Sequence, residues 1–268
     1  MSRIADRFAM LRSRGERALV PFLTVGDPDL ETSEALVLAM VEAGADLIEL
    51  GVPFSDPLAD GPTIQRSNQR SLERGTTLRA ALALTRRLRE RVDVPLLFMG
   101  YANPLYAMGE QHFAQAAREV GLDGIIVPDL PPEEGAGLYR ACRDVEVDPV
   151  LLVAPTTTVE RLAHLVSETS GFLYYVSLTG VTRARSDLAQ GIEDGVRRIR
   201  ALGDIPVCVG FGVSKPEHAE RIGRYADGVV VGSAIVDRIE AASSPADAVD
   251  RVASFVRELK APLRKPVV

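Results

Sequence analysis

The sequence predicts an α/β fold, a closed (β/α)8 barrel formed by one domain spanning residues 1–268. Eight short apolar runs alternate with amphipathic segments of helical period, which is the pattern of repeated βα units. No Gly/Ser-rich linker or change of composition divides the chain. Its 268 residues also match the roughly 250 that one barrel needs. A closed barrel therefore fits better than an open doubly wound sheet.

The eight predicted strands are short apolar runs, and a helix-like stretch follows each of them. In chain order they are ALVPFLTVG (18–26), DLIELGV (46–52), VPLLFMG (94–100), DGIIVPD (123–129), DPVLLVA (148–154), FLYYVSL (172–178), IPVCVGFG (205–212) and DGVVVGS (227–233).

The helices are predicted from apolar residues at helical spacing. The one after the first strand, near 30–43, carries Leu36, Val37 and Met40 and stops before Gly44. The last helix, near 245–260, is long and charged on its outer side. An additional N-terminal helix fits residues 2–14.

Composition narrows the classes of function. A formal charge of −6 and the lack of a basic stripe argue against a nucleic-acid or anionic-membrane surface. No apolar run approaches the roughly 20 residues of a membrane span, and the start of the sequence is charged, so we expect a cytoplasmic protein. Cys142 lies in a helix-like segment and Cys208 in an apolar strand, where a structural thiol is the expected role.

Two glycine motifs indicate an anion site. GFG (210–212) follows the seventh predicted strand and VGSAIV (231–236) spans the end of the eighth. In barrels these two loops, followed by helix N-termini, commonly bind phosphate. Either motif alone is compatible with a plain strand-to-helix turn, but together they predict a phosphate monoester site. A dinucleotide fingerprint is absent from this sequence, because GFGVSK lacks the third glycine and the acidic residue.

Other residue types disfavour several reaction classes. None of the three lysines lies on a predicted strand, as a Schiff-base enzyme would require. His112, His164 and His218 fall in helix-like segments of separate units, so neither a zinc cluster nor a histidine-dependent nucleophile system is expected. Acid–base chemistry by carboxylates remains.

Two carboxylates flank the loop that leaves the second strand. Glu49 lies between Ile48 and Leu50, where burial should raise its pKa and suit it to general acid catalysis; a structural ion pair with an arginine is the alternative. Asp60 follows in PLADGP, and its alternative is a turn-capping role. Two carboxyl groups whose pKa values are pushed apart can divide acid and base roles.

The motifs taken together resemble the tryptophan synthase α-subunit family. They occur in order over nearly the whole chain: GDPDLETS (26–33), ELGVPFSDPLADGPTIQ (49–65), YANPLY (101–106), PDLPPEE (128–134), SLTGVT (177–182), GFGVS (210–214) and VGSAIV (231–236). The resemblance implies a barrel of the ribulose-phosphate-binding type. It also implies a lyase of tryptophan biosynthesis that cleaves indole-3-glycerol phosphate to indole and glyceraldehyde 3-phosphate by a retro-aldol step.

The resemblance assigns roles to particular residues. Glu49 is implied to be the general acid/base, and Asp60 to interact with the indole N–H. The residues implied to bind substrate are Phe22, Ile64 and Tyr174 around the indole, Gly212, Gly232 and Ser233 at the phosphate, Thr182 in a closing loop, and Phe211. For Phe22, Ile64 and Tyr174 ordinary core packing is the alternative. Arg183 stands where the family usually has glycine. Its side chain restricts φ and could alter closure of the loop, or its cation could reach the phosphate.

The resemblance also implies an αββα complex that passes indole to a β subunit carrying pyridoxal phosphate. No metal and no cofactor are then expected in this chain. Pro53, Asp56, Asn103 and Asp129 are implied to face the partner, although each has an alternative as a turn residue. Two other functions stay open: a free-standing indole-glycerol phosphate lyase or related phosphosugar barrel enzyme, and a non-catalytic activator of a β subunit.

Overall fold

The sheet is a closed, all-parallel barrel. The computed structural model describes residues 2–176, 185–210 and 212–264, with the backbone alone for 185–190. The strands are β1 (Ala18–Thr24), β2 (Ile48–Gly51), β3 (Leu96–Met99), β4 (Gly124–Ile126), β5 (Asp148–Pro149), β6 (Leu152–Val153), β7 (Leu173–Val176), β8 (Val207–Gly210) and β9 (Gly228–Val231). Neighbouring strands pair in the order β5-β4-β3-β2-β1-β9-β8-β7-β6, so the predicted (β/α)8 fold class is confirmed.

Closure occurs within the fifth predicted strand. The segment expected as one strand over 148–154 is two short strands, because its first half pairs with β4 and its second half with β7. Between them the Val150 N–H donates to the Ile125 carbonyl at 2.9 Å, and the Leu151 N–H donates to the Thr169 hydroxyl at 3.1 Å. Only residues 150–151 separate the two ends of the sheet, which therefore meet.

Helices surround the sheet, and the predicted helices are confirmed to within three residues at their ends. They are α1 (Arg3–Ser13), α2 (Leu30–Glu42), α3 (Pro62–Glu73), α4 (Leu78–Arg89), α5 (Ala102–Met108), α6 (Glu110–Glu119), α7 (Ala136–Asp144), α8 (Val159–Glu168), α9 (Arg185–Arg200), α10 (Pro216–Gly223), α11 (Ser233–Glu240) and α12 (Pro245–Leu263). Two helices follow each of the strands β2, β3 and β9, whereas the sequence predicted one helix after each strand. None of the described helices is long and apolar enough to cross a membrane.

The barrel interior is a core distinct from the one between sheet and helices. Leu47 belongs to the inner core, whereas Ile48 and Leu50 belong to the outer one. Because side chains alternate along a strand, Glu49 shares the inward face with Leu47. At the amino ends of the strands, α1 closes the barrel, and its Phe8 ring lies 5.9 Å from that of Phe172. The opposite end of the barrel, at the carboxyl ends of the strands, is not covered by α1 and is where a functional site is expected.

Candidate active site

A cavity of about 740 Å³ lies at the carboxyl ends of the strands. This is the end of a barrel at which active sites are built. Six of the predicted site residues line it: Asp60, Ile64, Tyr174, Gly212, Gly232 and Ser233. Glu49 and Phe22 lie just behind this wall, and they face each other across the β1–β2 pairing.

Glu49 is sealed inside the barrel. Its side chain is on β2 between Phe22 of β1 and Leu97 of β3, and only 1% of the residue is exposed. Neither carboxylate oxygen has a hydrogen-bond partner among the described residues, so the ion pair considered from the sequence is not formed there. Burial, and then the negative charge of Asp60, raise the pKa of Glu49 to about 8.

Asp60 lies at the mouth of the cavity, next to Gly61, which is the N-cap of α3. The Asn68 amide donates to Asp60 Oδ2 at 3.1 Å, and the Tyr101 hydroxyl also interacts with the carboxylate and favours its ionised form. Burial raises the pKa of Asp60 to about 6, while these two donors act to lower it. The side chain is therefore held for interaction within the cavity and does not cap the helix.

Two aromatic rings fit against glycines on neighbouring strands. A Cβ on Gly51 would lie 2.5 Å from the Phe22 ring, and one on Gly210 would lie 2.6 Å from the Tyr174 ring. A side chain at either position would displace the ring beside it. Burial, and then the charge of Glu49, raise the pKa of Tyr174 well above its ordinary value, so its hydroxyl stays protonated. The Tyr174 ring lines the cavity, and the Phe22 ring lies behind the wall.

The glycine motifs bring backbone N–H groups to the other side of the cavity. Gly232 precedes the first turn of α11, which begins at Ser233, and Gly212 has a φ of +43° in the left-handed region. Both glycines and Ser233 lie in the cavity wall. Free N–H groups and the positive end of the helix dipole favour an anion at that position.

Sequence reasoning missed two residues that hold Asp60. Asn68 lies eight residues further on, on the buried side of α3, and Tyr101 follows β3 in the quoted YANPLY motif without having been given a role. The helical spacing between Asp60 and Asn68 is the only signal in the sequence that could have found either. The predicted site residues Thr182 and Phe211, and also Arg183, lie outside the described residues.

The residues expected at a partner surface lie near Tyr101, on the loops after β2 and β4 and in the first turn of α5. Asp56, Asn103 and Asp129 are exposed, whereas Pro53 is buried in this chain. Asp129 Oδ1 accepts a hydrogen bond of 3.0 Å from the Ala102 N–H, next to Asn103. The structure therefore brings the segments after β3 and β4 into contact.

The cavity holds carboxyl groups but no amine. Among its described lining residues none is lysine, and the buried Lys260 is engaged with Asp46 at 2.8 Å. Across the described ranges, no three His, Cys, Asp or Glu side chains are grouped to hold a metal ion. The arrangement can supply one proton donor, one negative charge and one anion site.

Sequence comparisons identify the relatives of this chain. Residues 8–264 match the model of the family described as tryptophan synthase alpha chain. The tryptophan synthase alpha chain of Citrifermentans bemidjiense is 52% identical over 260 residues, which is 97% of each chain. That of Geobacter sulfurreducens is 48% identical over 261 residues, covering 97% of this chain and 98% of the relative.

Solved structures share the fold over nearly their whole length. A tryptophan synthase subunit alpha from Legionella pneumophila superposes with a TM-score of 0.91 at 35% identity, covering 98% of both chains. A chain of tryptophan synthase from Mycobacterium tuberculosis superposes with a TM-score of 0.90 at 39% identity, covering 98% of this chain and 99% of its own.

Proposed function

The chain belongs to the tryptophan synthase alpha chain family, and from this membership we propose that it cleaves indole-3-glycerol phosphate to indole and glyceraldehyde 3-phosphate. It is therefore a lyase of tryptophan biosynthesis. The observation that carries the proposed reaction is the pair of carboxyl groups at one cavity with different proton affinities. The pKa of Glu49 is raised to about 8 and that of Asp60 to about 6. At neutral pH Glu49 is therefore a proton donor and Asp60 is an anion.

The two carboxyl groups have different roles in the retro-aldol reaction. Glu49 gives its proton to the ring carbon that bears the glycerol chain, and positive charge then develops on the indole nitrogen. The Asp60 carboxylate accepts the hydrogen bond of that N–H and stabilises the charge in a site screened from water. Glu49, now ionised, takes the proton of the adjacent glycerol hydroxyl as the carbon–carbon bond breaks. The bond electrons return to the ring, and Glu49 ends the cycle protonated.

Glu49 has to reach the cavity for this reaction. Its carboxyl group lies behind the wall, but both of its oxygens lack partners among the described residues. No hydrogen bond to those residues has to break when the side chain turns towards the substrate. The indole ring would then lie against Phe22, Ile64 and Tyr174.

The phosphate group is proposed to lie at the N-terminus of α11. Gly232 and Ser233 present the first N–H groups of that helix, and Gly212 presents its own from the opposite loop. An anion there is stabilised by N–H donors and by the helix dipole. The site would anchor the glycerol phosphate end while the ring faces the two carboxyl groups.

Family membership implies a β-subunit partner, and we propose an αββα complex in which that partner carries pyridoxal phosphate. Asp56 and Asp129 are exposed on loops, and Asn103 is exposed in the first turn of α5. Leu58, on the same loop as Asp56, is 90% exposed. A large apolar side chain so exposed is suited to an interface. We keep Pro53 in the proposed interface as a support for that loop.

Indole release from indole-3-glycerol phosphate tests the proposed function. The purified chain is assayed with and without a tryptophan synthase β subunit, beside the variants Glu49→Gln and Glu90→Gln, the latter an exposed glutamate at the end of α4. We expect release that the partner accelerates and that Glu49→Gln lowers by about 10²- to 10⁴-fold, with Glu90→Gln unchanged. Absence of indole under both conditions would reject the proposal.

A further inference from the structure

We propose that Glu240 is a positioning residue that keeps the phosphate end of the active site at a fixed distance from Asp60. Glu240 is the last residue of α11, and the N-terminus of this helix is the proposed phosphate site. Glu240 acts through two arginines of α3, the helix that follows Asp60. The inference rests on the proposed function, because it concerns the distance between two parts of the same site.

The helices α3 and α11 carry the two halves of the proposed site. Asp60 and Gly61 precede α3, and Gly232 precedes α11. These three residues line the cavity, as do Ile64 of α3 and Ser233 of α11. A substrate with an indole ring and a phosphate group would therefore have its ring beside one helix and its phosphate at the other. The position of α11 relative to α3 must then match the length of that substrate.

Hydrogen bonds between side chains fix the register of the two helices. Thr63 Oγ1 donates to Asp237 Oδ1 at 3.1 Å. One turn further along both helices, Arg66 donates to both oxygens of Glu240, at 3.0 Å from Nε and 2.7 Å from Nη2. The partners in both contacts are 174 positions apart in the sequence. The two helices are therefore parallel along this contact, with both N-termini at the cavity.

A buried ion pair joins the second arginine to the barrel. Arg70 donates to Glu240 Oε1 at 2.9 Å. From Nε and Nη2 it also donates to both carboxylate oxygens of Asp27, each at 2.8 Å. The Asp27 side chain is only 2% exposed and lies in the loop that leaves β1. Because a bidentate arginine–carboxylate pair has a defined geometry, Arg70 holds Glu240 at a position that the barrel determines.

The helix α3 is also bound to β1 by buried hydroxyl groups. Ser71 Oγ donates to the Val25 carbonyl at 2.6 Å, and the hydroxyl oxygens of Ser67 and Thr24 lie 2.6 Å apart. The buried residues of α11, in contrast, are all apolar: Ala234, Ile235, Val236 and Ile239. Apolar contacts are not directional, so they do not fix the position of α11 relative to α3. The contacts of Glu240 supply that constraint.

Glu240 is not placed to stabilise its own helix. It lies at the C-terminal end of α11, where the helix dipole disfavours a negative charge. The side chains of Glu240 and Arg66 are 33% and 49% exposed, and ion pairs with such exposure contribute little to the free energy of unfolding. We therefore expect Glu240 to affect the geometry of the site more than the stability of the chain.

A small shift of α11 should affect the reaction strongly, because misplacing a bound group by about 1 Å can lower a rate by about 10²-fold. Without Glu240, the N–H groups at Gly232 and Ser233 would still bind a phosphate. The ring of the same substrate would no longer be held in place beside Asp60. Loss of Glu240 should therefore impair ligands that span both halves of the site, whereas ligands of the phosphate half alone should bind as before.

The experiment compares Glu240→Ala with Glu34→Ala. Glu34 is the matched control, because this glutamate of α2 is also held by two arginines of a neighbouring helix, Arg87 and Arg91, at 2.8 and 3.5 Å. No residue of α2 or α4 is among the described residues of the cavity wall. A third variant, Arg66→Met, removes the bidentate pair with Glu240 and leaves Arg70 on Asp27.

Steady-state release of indole from indole-3-glycerol phosphate, with a β subunit present, gives kcat and KM. Two competitive inhibitors are measured in the same assay at constant ionic strength. Glycerol 3-phosphate has only the phosphate end of the substrate. Indole-3-propanol phosphate has both ends and cannot be cleaved, because it lacks the hydroxyl group next to the ring.

For Glu240→Ala we expect kcat/KM to fall by about 10²-fold, mostly through kcat. The inhibition constant of indole-3-propanol phosphate should rise by about tenfold, and that of glycerol 3-phosphate should stay within about twofold of the wild type. Arg66→Met should change the same quantities in the same direction by a smaller factor. Glu34→Ala should match the wild type in all of them.

Equal weakening of both inhibitors by Glu240→Ala would overturn the proposal, because α11 would then have lost the phosphate site itself. Kinetics and inhibition that match the wild type would overturn it as well. If Glu240→Ala does not fold, Arg66→Met alone decides the outcome. Failure of the proposed function is recognised separately, because the wild-type chain would then release no indole with the partner present, and the inference would be rejected with it.

Discussion

The carboxyl group of Glu49 is kept protonated in part by the negative charge of Asp60. Burial is the larger cause and the Asp60 charge the second, and together they raise the pKa of Glu49 to about 8. Asp60 keeps two hydrogen-bond donors, so burial raises its pKa only to about 6. At a pH between these two pKa values, the same site contains a protonated Glu49 and an ionised Asp60.

The activity should therefore have a bell-shaped pH dependence. Asp60 has to be ionised, so kcat/KM should fall as the pH drops below about 6. Glu49 has to be protonated in the free enzyme, so kcat/KM should fall again as the pH rises above about 8. Initial rates at low substrate concentration between pH 5 and 9.5 measure both limbs. A rate that keeps rising to the alkaline end would contradict the assignment of Glu49 as the acid.

Glu49→Gln should stabilise the fold while abolishing activity. The pKa of Glu49 is raised from 4.5 to about 8 on folding, so between these values the folded state binds a proton that the unfolded state releases. The stability of the wild type then decreases as the pH rises through this window, whereas a glutamine has no such dependence. Near pH 7.5 the variant should gain about 3 kcal/mol in the free energy of unfolding.

Urea unfolding at pH 4.5 and pH 7.5 measures this difference. The gain should be small at the acidic pH and large at the higher one. Glu90→Gln, on the surface, should track the wild type at both. Equal stability of Glu49→Gln and wild type at pH 7.5 would show that the buried carboxyl group is solvated or paired in solution.

The sequence predicted those features that depend on local pattern. The apolar run around Glu49 predicted that this residue is buried with a raised pKa, and the loop that leaves the same strand carried the second predicted carboxylate, Asp60. Two things depended on long-range geometry and were not predicted. One is the division of the strand at 148–154, which follows from where the barrel closes. The other is the interaction of Tyr101 with Asp60, which depends on packing between residues that are 41 positions apart in the sequence. The roles of Thr182 and Phe211 stay predictions.

Gly232→Ala should weaken substrate binding without unfolding the chain. A Cβ there would lie 3.5 Å from the Phe22 ring and 3.6 Å from Ile64, which is ordinary van der Waals contact. It would nevertheless take space beside the first N–H groups of α11. We expect KM to rise by about tenfold, equivalent to about 1.4 kcal/mol, with little change in thermal stability.

Gly210→Ala is the matched comparison. Its Cβ would lie 2.6 Å from the Tyr174 ring, so the ring must move, and we expect a loss of stability of about 1–3 kcal/mol. Thermal unfolding and steady-state kinetics of the two variants separate the effects. If Gly232→Ala left KM unchanged, the phosphate would have to lie elsewhere in the cavity.

Lys260→Met should destabilise the barrel from the end opposite the cavity. Lys260 is 2% exposed, and its Nζ lies 2.8 Å from Asp46 Oδ2 and 3.4 Å from Glu16 Oε2. Asp46 also accepts the Leu19 N–H at 2.8 Å, so the ion pair joins α12 to the amino ends of β1 and β2. Without the ammonium group, Asp46 becomes a buried charge without its cation, which costs about 3–5 kcal/mol.

Chemical unfolding of Lys260→Met measures this loss, and Lys215→Met, at an exposed lysine before α10, should cost less than about 0.5 kcal/mol. The double variant Lys260→Met with Asp46→Asn should recover part of the stability, because the asparagine oxygen still accepts the Leu19 N–H and carries no charge to compensate. At a temperature where all variants are folded, KM should equal that of the wild type, since the ion pair is far from the cavity. A double variant less stable than Lys260→Met would show instead that Asp46 stabilises the fold without its lysine.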